Sequence, residues 1–167
     1  MKQKNLSQPG RPAGAPPQCQ TSPPPRILVV DDDISIRKIN TEMLLGSGYE
    51  VDAAEDGDAA WQALNADRYD LLVTDHNMPK VSGVELLKRL RAARMDLPAI
   101  LVSGVMPTEE LNRYPWLQIK ARLLKPYTAE ELLGTVAEVL RATDEVHQRS
   151  EPPSNWQNLP SAQVWQF

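Results

Sequence analysis

The chain has 167 residues, 41% apolar and 24% charged, with a net charge of −4. That length supports one ordinary domain with its own core, and the acidic balance argues against direct nucleic-acid binding or broad attraction to anionic membranes. The lone cysteine, Cys19, excludes a disulfide framework within the chain and gives a cytoplasmic reading; no apolar run is long enough for membrane insertion, and the basic N-terminus lacks the apolar stretch of a secretory signal.

Composition divides the chain in three. Residues 1–25 hold seven of the 15 prolines and no acidic residue, which predicts a disordered Pro-rich leader. A Pro-rich ligand for an SH3-like partner is the minor alternative. Residues 26–143 carry regular patterns. Residues 144–167 turn polar and Pro-containing again, which predicts a flexible tail. Its Trp156, Trp165 and Phe167 either lack fixed contacts or serve as docking anchors.

In chain order, "RILVV" (26–30) is a short apolar run before acidic residues, as a buried strand should be. The next stretch predicts a helix with Ile36, Ile39, Met43 and Leu44 on one face, stopped by Gly46 and Gly48. "YEVDAAED" is a second strand. "DAAWQALNA" is a helix with Ala60, Trp61 and Leu64 inward. "YDLLVTD" is a third strand, and "SGVELLKRLRA" a helix with Val84, Leu87 and Leu90 on one stripe. "LPAILVSG" is a fourth strand. "PTEELNRY" gives one or two helical turns ended before Pro115, with an irregular stretch around Trp116. "ARLLK" is a fifth strand. The last helix, "TAEELLGTVAEVLRAT", opens on a capping box of Thr128 and Glu131 and carries Leu132, Val136, Val139 and Leu140 inward.

Five strands alternating with helices predict a doubly wound α/β fold, a parallel sheet with helices on both faces. Ligands of such sheets sit outside the carboxyl ends of the strands. There the sequence places Asp31, Asp32, Asp33, Asp75, Ser103 and Lys125. Gathered carboxylates repel unless a cation sits among them, and a hard ion such as Mg²⁺ suits oxygen ligands. A carboxylate beside Mg²⁺ can attack a phosphoryl group and become an aspartyl phosphate. Lys125 would supply charge and Ser103 a hydrogen bond.

The motifs "ILVVDDD", "LLVTDHNMPKVSGVELL", "ILVSG" and "LLKPY" together resemble the receiver domain of two-component response regulators, across about residues 26–142. The resemblance implies a flavodoxin-like fold and a role for each matching position. Asp75 would be the phosphoacceptor and a metal ligand. Asp32 would bind Mg²⁺ directly, Asp31 through water, and Asn77 through its backbone carbonyl. Ser103 would be the conformation-coupled hydroxyl and Lys125 the phosphate-binding lysine, followed by a cis bond to Pro126. The donor would be a sensor histidine kinase or phosphotransfer protein. The chain would signal by protein–protein contact, catalysing only its own phosphorylation and dephosphorylation, to an output protein that the sequence does not specify. Arg122 departs from the family pattern, which often has an aromatic residue there.

Plainer roles are expected elsewhere. Asp33 reads as a helix N-cap, Gly83 as serving a turn into the helix, His76 as exposed, Trp61 and Trp116 as packing residues, and Met78–Pro79 as fixing the loop path. No second domain is visible in the pattern, so a stand-alone receiver is expected. A receiver separated from a hybrid histidine kinase is the alternative. A Mg²⁺-dependent phosphohydrolase with an Asp nucleophile is the rival from another class. It would need an acid where Asn77 stands.

Overall fold

The computed structural model describes residues 23–150, with side chains described to residue 146. The greater part of the expected leader and tail, with Cys19, Trp156, Trp165 and Phe167, lies outside the described residues. Five strands, β1 (Arg26–Val30), β2 (Glu50–Ala54), β3 (Leu71–Asp75), β4 (Ala99–Ser103) and β5 (Ala121–Leu124), alternate with helices. The helices are α1 (Ile34–Gly46), α2 (Gly57–Ala66), α3 (Gly83–Ala92), α4 (Thr108–Arg113) and α5 (Ala129–Ser150). A short 3₁₀ turn, Pro115–Leu117, follows α4. The strands form one parallel sheet in the order β2-β1-β3-β4-β5.

Alternate residues of each central strand feed two cores, as the period of two requires. Leu28, Val30, Leu72 and Leu101 face Ala60 and Leu64 of α2 and Leu86, Leu87 and Leu90 of α3. Ile27, Val29, Leu71, Val73 and Ile100 face Leu44 of α1 and Leu132, Val136 and Leu140 of α5. Both faces of β3 and β4 are therefore buried, and each fully buried leucine contributes roughly 1.5–3 kcal/mol over an exposed one. No helix among the described residues is long and apolar enough to cross a membrane.

The end signals act as their chemistry demands. Asp33 accepts from the amides of Ser35 (2.8 Å) and Ile36 (3.2 Å), capping α1. Thr128 and Glu131 make the reciprocal bonds of a capping box. Pro115 ends the helical run, and the chain turns through Gln118 at φ 51°.

Three expectations change. In α1 the inward stripe runs through Ile36, Asn40 and Leu44, while Ile39 is 54% exposed. Trp116 is half exposed and meets Tyr114 edge-on at 5.9 Å, so it packs on one side only. Helix α5 continues past Thr143 to Ser150. The added residues carry little apolar pattern, but no proline or glycine interrupts them before Pro152.

Arg91 closes the far side of α3. Its guanidinium donates to the carbonyls of Leu117 (3.0 Å), Met95 (2.7 Å) and Leu97 (2.9 Å), tying the loop before β4 and the 3₁₀ turn to one helix. At the amino edge of the sheet, the Arg26 guanidinium bridges Asp52 and Asp67 and lies over the Tyr69 ring. The Tyr69 hydroxyl donates to Asp52 Oδ2 at 2.9 Å. Burial first, and this bond to a carboxylate second, push Tyr69 up from 10.0 to about 12. The folded chain thus keeps that proton to higher pH than the unfolded one. The resulting contribution to stability is complete below about pH 10 and is lost as the pH rises through about 12. An ultraviolet titration should show Tyr69 among the late-ionising tyrosines, and Asp52→Asn should bring that part of the titration earlier; a titration that is the same in both proteins would sink this assignment.

Candidate functional site

The sheet order reverses between β1 and β3, and the carboxyl ends of these neighbours supply the two buried acids. Registry pairs Val30 with Thr74, so the next residues, Asp31 and Asp75, emerge side by side. Asp31 is 2% exposed and Asp75 4%. Two such carboxylates are costly to bury without compensation. The compensation comes from Lys125, at the end of β5, whose Nζ lies 2.9 Å from Asp31 Oδ2 and 2.7 Å from Asp75 Oδ1. The bond from Lys125 to Pro126 is cis.

The remaining carboxylate oxygens are met in the same way on both strands. Asp31 Oδ1 accepts the Asp33 amide at 2.9 Å, and Asp75 Oδ2 accepts the Asn77 amide at 2.6 Å. Each aspartate therefore uses one oxygen on the shared ammonium and one on the backbone two residues ahead. Burial nonetheless holds Asp31 above its ordinary range, against the Lys125 and Asp33 hydrogen bonds that pull it down. Burial pulls Lys125 down, but the hydrogen bonds to Asp75 and Asp31 outweigh it and hold the ammonium above its usual value. Two carboxylates share one ammonium, so the cluster keeps a surplus of one negative charge.

The other expected site residues stand around this centre. Asp32 is exposed at its rim. Ser103, at the end of β4, is fully buried, and its Oγ donates to the Val105 carbonyl at 2.6 Å. Its own carbonyl accepts the Lys125 amide at 2.9 Å. Asn77 is exposed. Among the described residues, no group of three or more Asp, Glu, His or Cys side chains converges as a ready-made metal cluster.

Four neighbours complete the site; the contacts of Arg37, Gly83 and His76 were not legible, whereas Met78 was expected to fix the loop path. Arg37 of α1 donates to the Asp31 carbonyl at 2.6 Å, fixing the backbone behind that carboxylate. Gly83 stands where the chain turns into α3, as its first residue. It lies against Asp75, and a Cβ there would collide with the Asp75 carbonyl oxygen. His76 is half buried, contrary to the exposed position expected, with its Nδ1 buried and unpartnered. Met78 is 7% exposed and packs into the α2–α3 core, which anchors the loop after Asp75.

Doubly wound sheet, paired strand-end carboxylates and a shared lysine define a receiver domain, and comparison with known proteins agrees. Residues 27–137 match the family described as the response regulator receiver domain, and the chain belongs to that family. Response regulator MprA of Mycolicibacterium vanbaalenii is 38% identical over 122 residues, which cover 72% of this chain and 52% of that protein. The chain thus spans about half the length of the curated relatives it matches. Among solved structures, the Francisella response regulator 1452 receiver domain is 31% identical with a TM-score of 0.66, covering 71% of this chain and 98% of that one. Response regulator TrrA of Thermotoga maritima, in complex with Mg²⁺ and BeF, is 32% identical with a TM-score of 0.62, covering 69% and 98%.

Proposed function

We propose that Asp75 accepts a phosphoryl group from a sensor histidine kinase or phosphotransfer protein in a Mg²⁺-dependent reaction. The phosphorylated chain then signals by protein–protein contact, in the cytoplasm and without binding nucleic acid itself. The observation that carries this reading is the buried Asp31–Lys125–Asp75 cluster at the switch in strand order, in a chain of the receiver family.

The donor set fits a hard divalent ion. It is all oxygen and carries surplus negative charge, and Mg²⁺ keeps several waters, so it needs few protein ligands. Asp31, Asp32, Asp75 and the Asn77 carbonyl would hold it, and the ion would neutralise charge on the transferring oxygens. The chain's own groups do the rest. An Asp75 oxygen attacks phosphorus, and the bond from phosphorus to the donor's nitrogen breaks. Lys125 supplies its ammonium to the arriving phosphoryl oxygens. Ser103 does so with its hydroxyl once it leaves the Val105 carbonyl. The exposed amide of Asn77 cannot protonate a leaving group, which disfavours the phosphohydrolase reading.

Incubation with Mg²⁺ and a small phosphodonor should add one phosphoryl group, located on Asp75 by borohydride trapping and peptide mass. Asp32→Ala should weaken Mg²⁺ binding and slow uptake on the order of tenfold. Uptake that proceeds equally without Mg²⁺ would sink the metal reading, and overlapping magnesium titrations would remove Asp32 from the ligand set.

A further inference from the structure

Position 40 of α1 is where polarity and burial disagree. Asn40 is 3% exposed, yet the apolar side chain beside it, Ile39, faces water. Nothing in helix geometry demands this, since the inward stripe from Ile36 to Leu44 would accept an apolar residue at position 40. A buried amide is costly unless it is hydrogen-bonded. Asn40 Nδ2 donates to the Tyr127 hydroxyl at 2.8 Å, across 87 residues of chain.

Tyr127 follows Lys125 and Pro126 on the loop from β5 to α5. The half-buried ring packs into the core beneath α1 and α5, and burial holds the hydroxyl protonated above its ordinary range. The loop that carries Lys125 is therefore tied at two points. At one end the Lys125 amide is bonded to Ser103; at the other the Tyr127 hydroxyl is bonded to α1. The same helix holds the Asp31 carbonyl through Arg37, one turn earlier than Asn40. One face of α1 thus holds both the backbone of Asp31 and the loop bearing its ammonium partner.

We propose that Asn40 and Tyr127 are positioning residues for Lys125, and that their buried hydrogen bond sets where the ammonium lies between Asp31 and Asp75. This rests on the phosphoacceptor reading only for its effect on rate, because the placement of the ammonium is a property of the resting chain. Neither residue touches the phosphoryl group. They act through the loop, and a shift of about 1 Å in a positioned group is enough to cost up to 10²-fold in rate.

The test separates position from stability. Tyr127→Phe removes only the hydroxyl. In the pair Asn40→Leu with Tyr127→Phe, both polar partners become apolar, which restores packing without the bond. Initial rates of phosphoryl uptake are measured against phosphodonor concentration with Mg²⁺, well below each melting temperature. Tyr127→Phe is expected to lower the maximal rate about threefold to tenfold with little change in the donor concentration needed for half of it. The apolar pair should regain the melting temperature of the parent and keep the lowered rate. The ¹⁵Nζ resonance of Lys125 in magnesium-free protein should move in both variants. A parent-like rate in either variant, or a rate that recovers together with the melting temperature, overturns the proposal. So does an unmoved Lys125 resonance. A parent chain that takes no phosphoryl group overturns the phosphoacceptor reading instead, and the resonance then decides the positioning role by itself.

Discussion

Asp75→Asn is expected to abolish phosphoryl uptake, a loss of at least about 10²-fold, because an amide is a poor nucleophile toward phosphorus. The fold should survive. Asn keeps the size of the side chain, its oxygen can still accept the Asn77 amide, and Lys125 keeps Asp31 as its counter-charge. The variant therefore distinguishes loss of chemistry from loss of structure. Unfolding curves should nearly coincide with the parent's while labelling falls to background. Labelling at the parent level would move the acceptor elsewhere and end the assignment.

The second large effect is expected from the smallest change. In Gly83→Ala the new Cβ meets the Asp75 carbonyl oxygen, with the Asp75 carbonyl carbon at 3.0 Å and His76 Cα at 3.1 Å. All three are backbone atoms, so no side chain can swing aside. Either α3 or the end of β3 must move. The cost of such overpacking is on the order of 1–3 kcal/mol, and one of the two elements that can yield carries Asp75. Gly134→Ala is the natural control. Gly134 lies inside α5 with nothing near its missing Cβ, and alanine there should stabilise by roughly 0.5–1 kcal/mol. Denaturant midpoints read both effects. A Gly83→Ala midpoint equal to that of the parent would show that the close approach carries no energy.

The candidate site was readable because each of its residues ends a strand. An apolar run that stops at Asp75 or Lys125 announces both the strand and the edge to which its last side chain belongs. The parallel sheet then brings those ends together without further information. Contacts between distant segments were not readable. The periodicity of α1 allows Ile39 or Asn40 to face inward, and hydropathy selects the wrong one, because the partner that decides, Tyr127, comes only after β5. Gly83 looks like any loop glycine until the backbone of Asp75 is seen against it. The extension of α5 escaped for a different reason. A helix can continue on propensity alone after its apolar stripe has ended, and a reading by stripe stops where the stripe stops.

Arg91 holds the carbonyls of Met95, Leu97 and Leu117 with a single planar guanidinium. This guanidinium is a fixed point between α3 and the segments that lead into β4 and β5. Helix α4 is joined to α3 by Leu111 in their shared core and by the long side chain of Lys88 reaching Glu110. The 3₁₀ turn ahead of β5 is therefore pinned to α3 at Leu117. A lysine at position 91 would carry the same charge and lose the fixed point, because a single ammonium on a flexible stem cannot reproduce the planar fork.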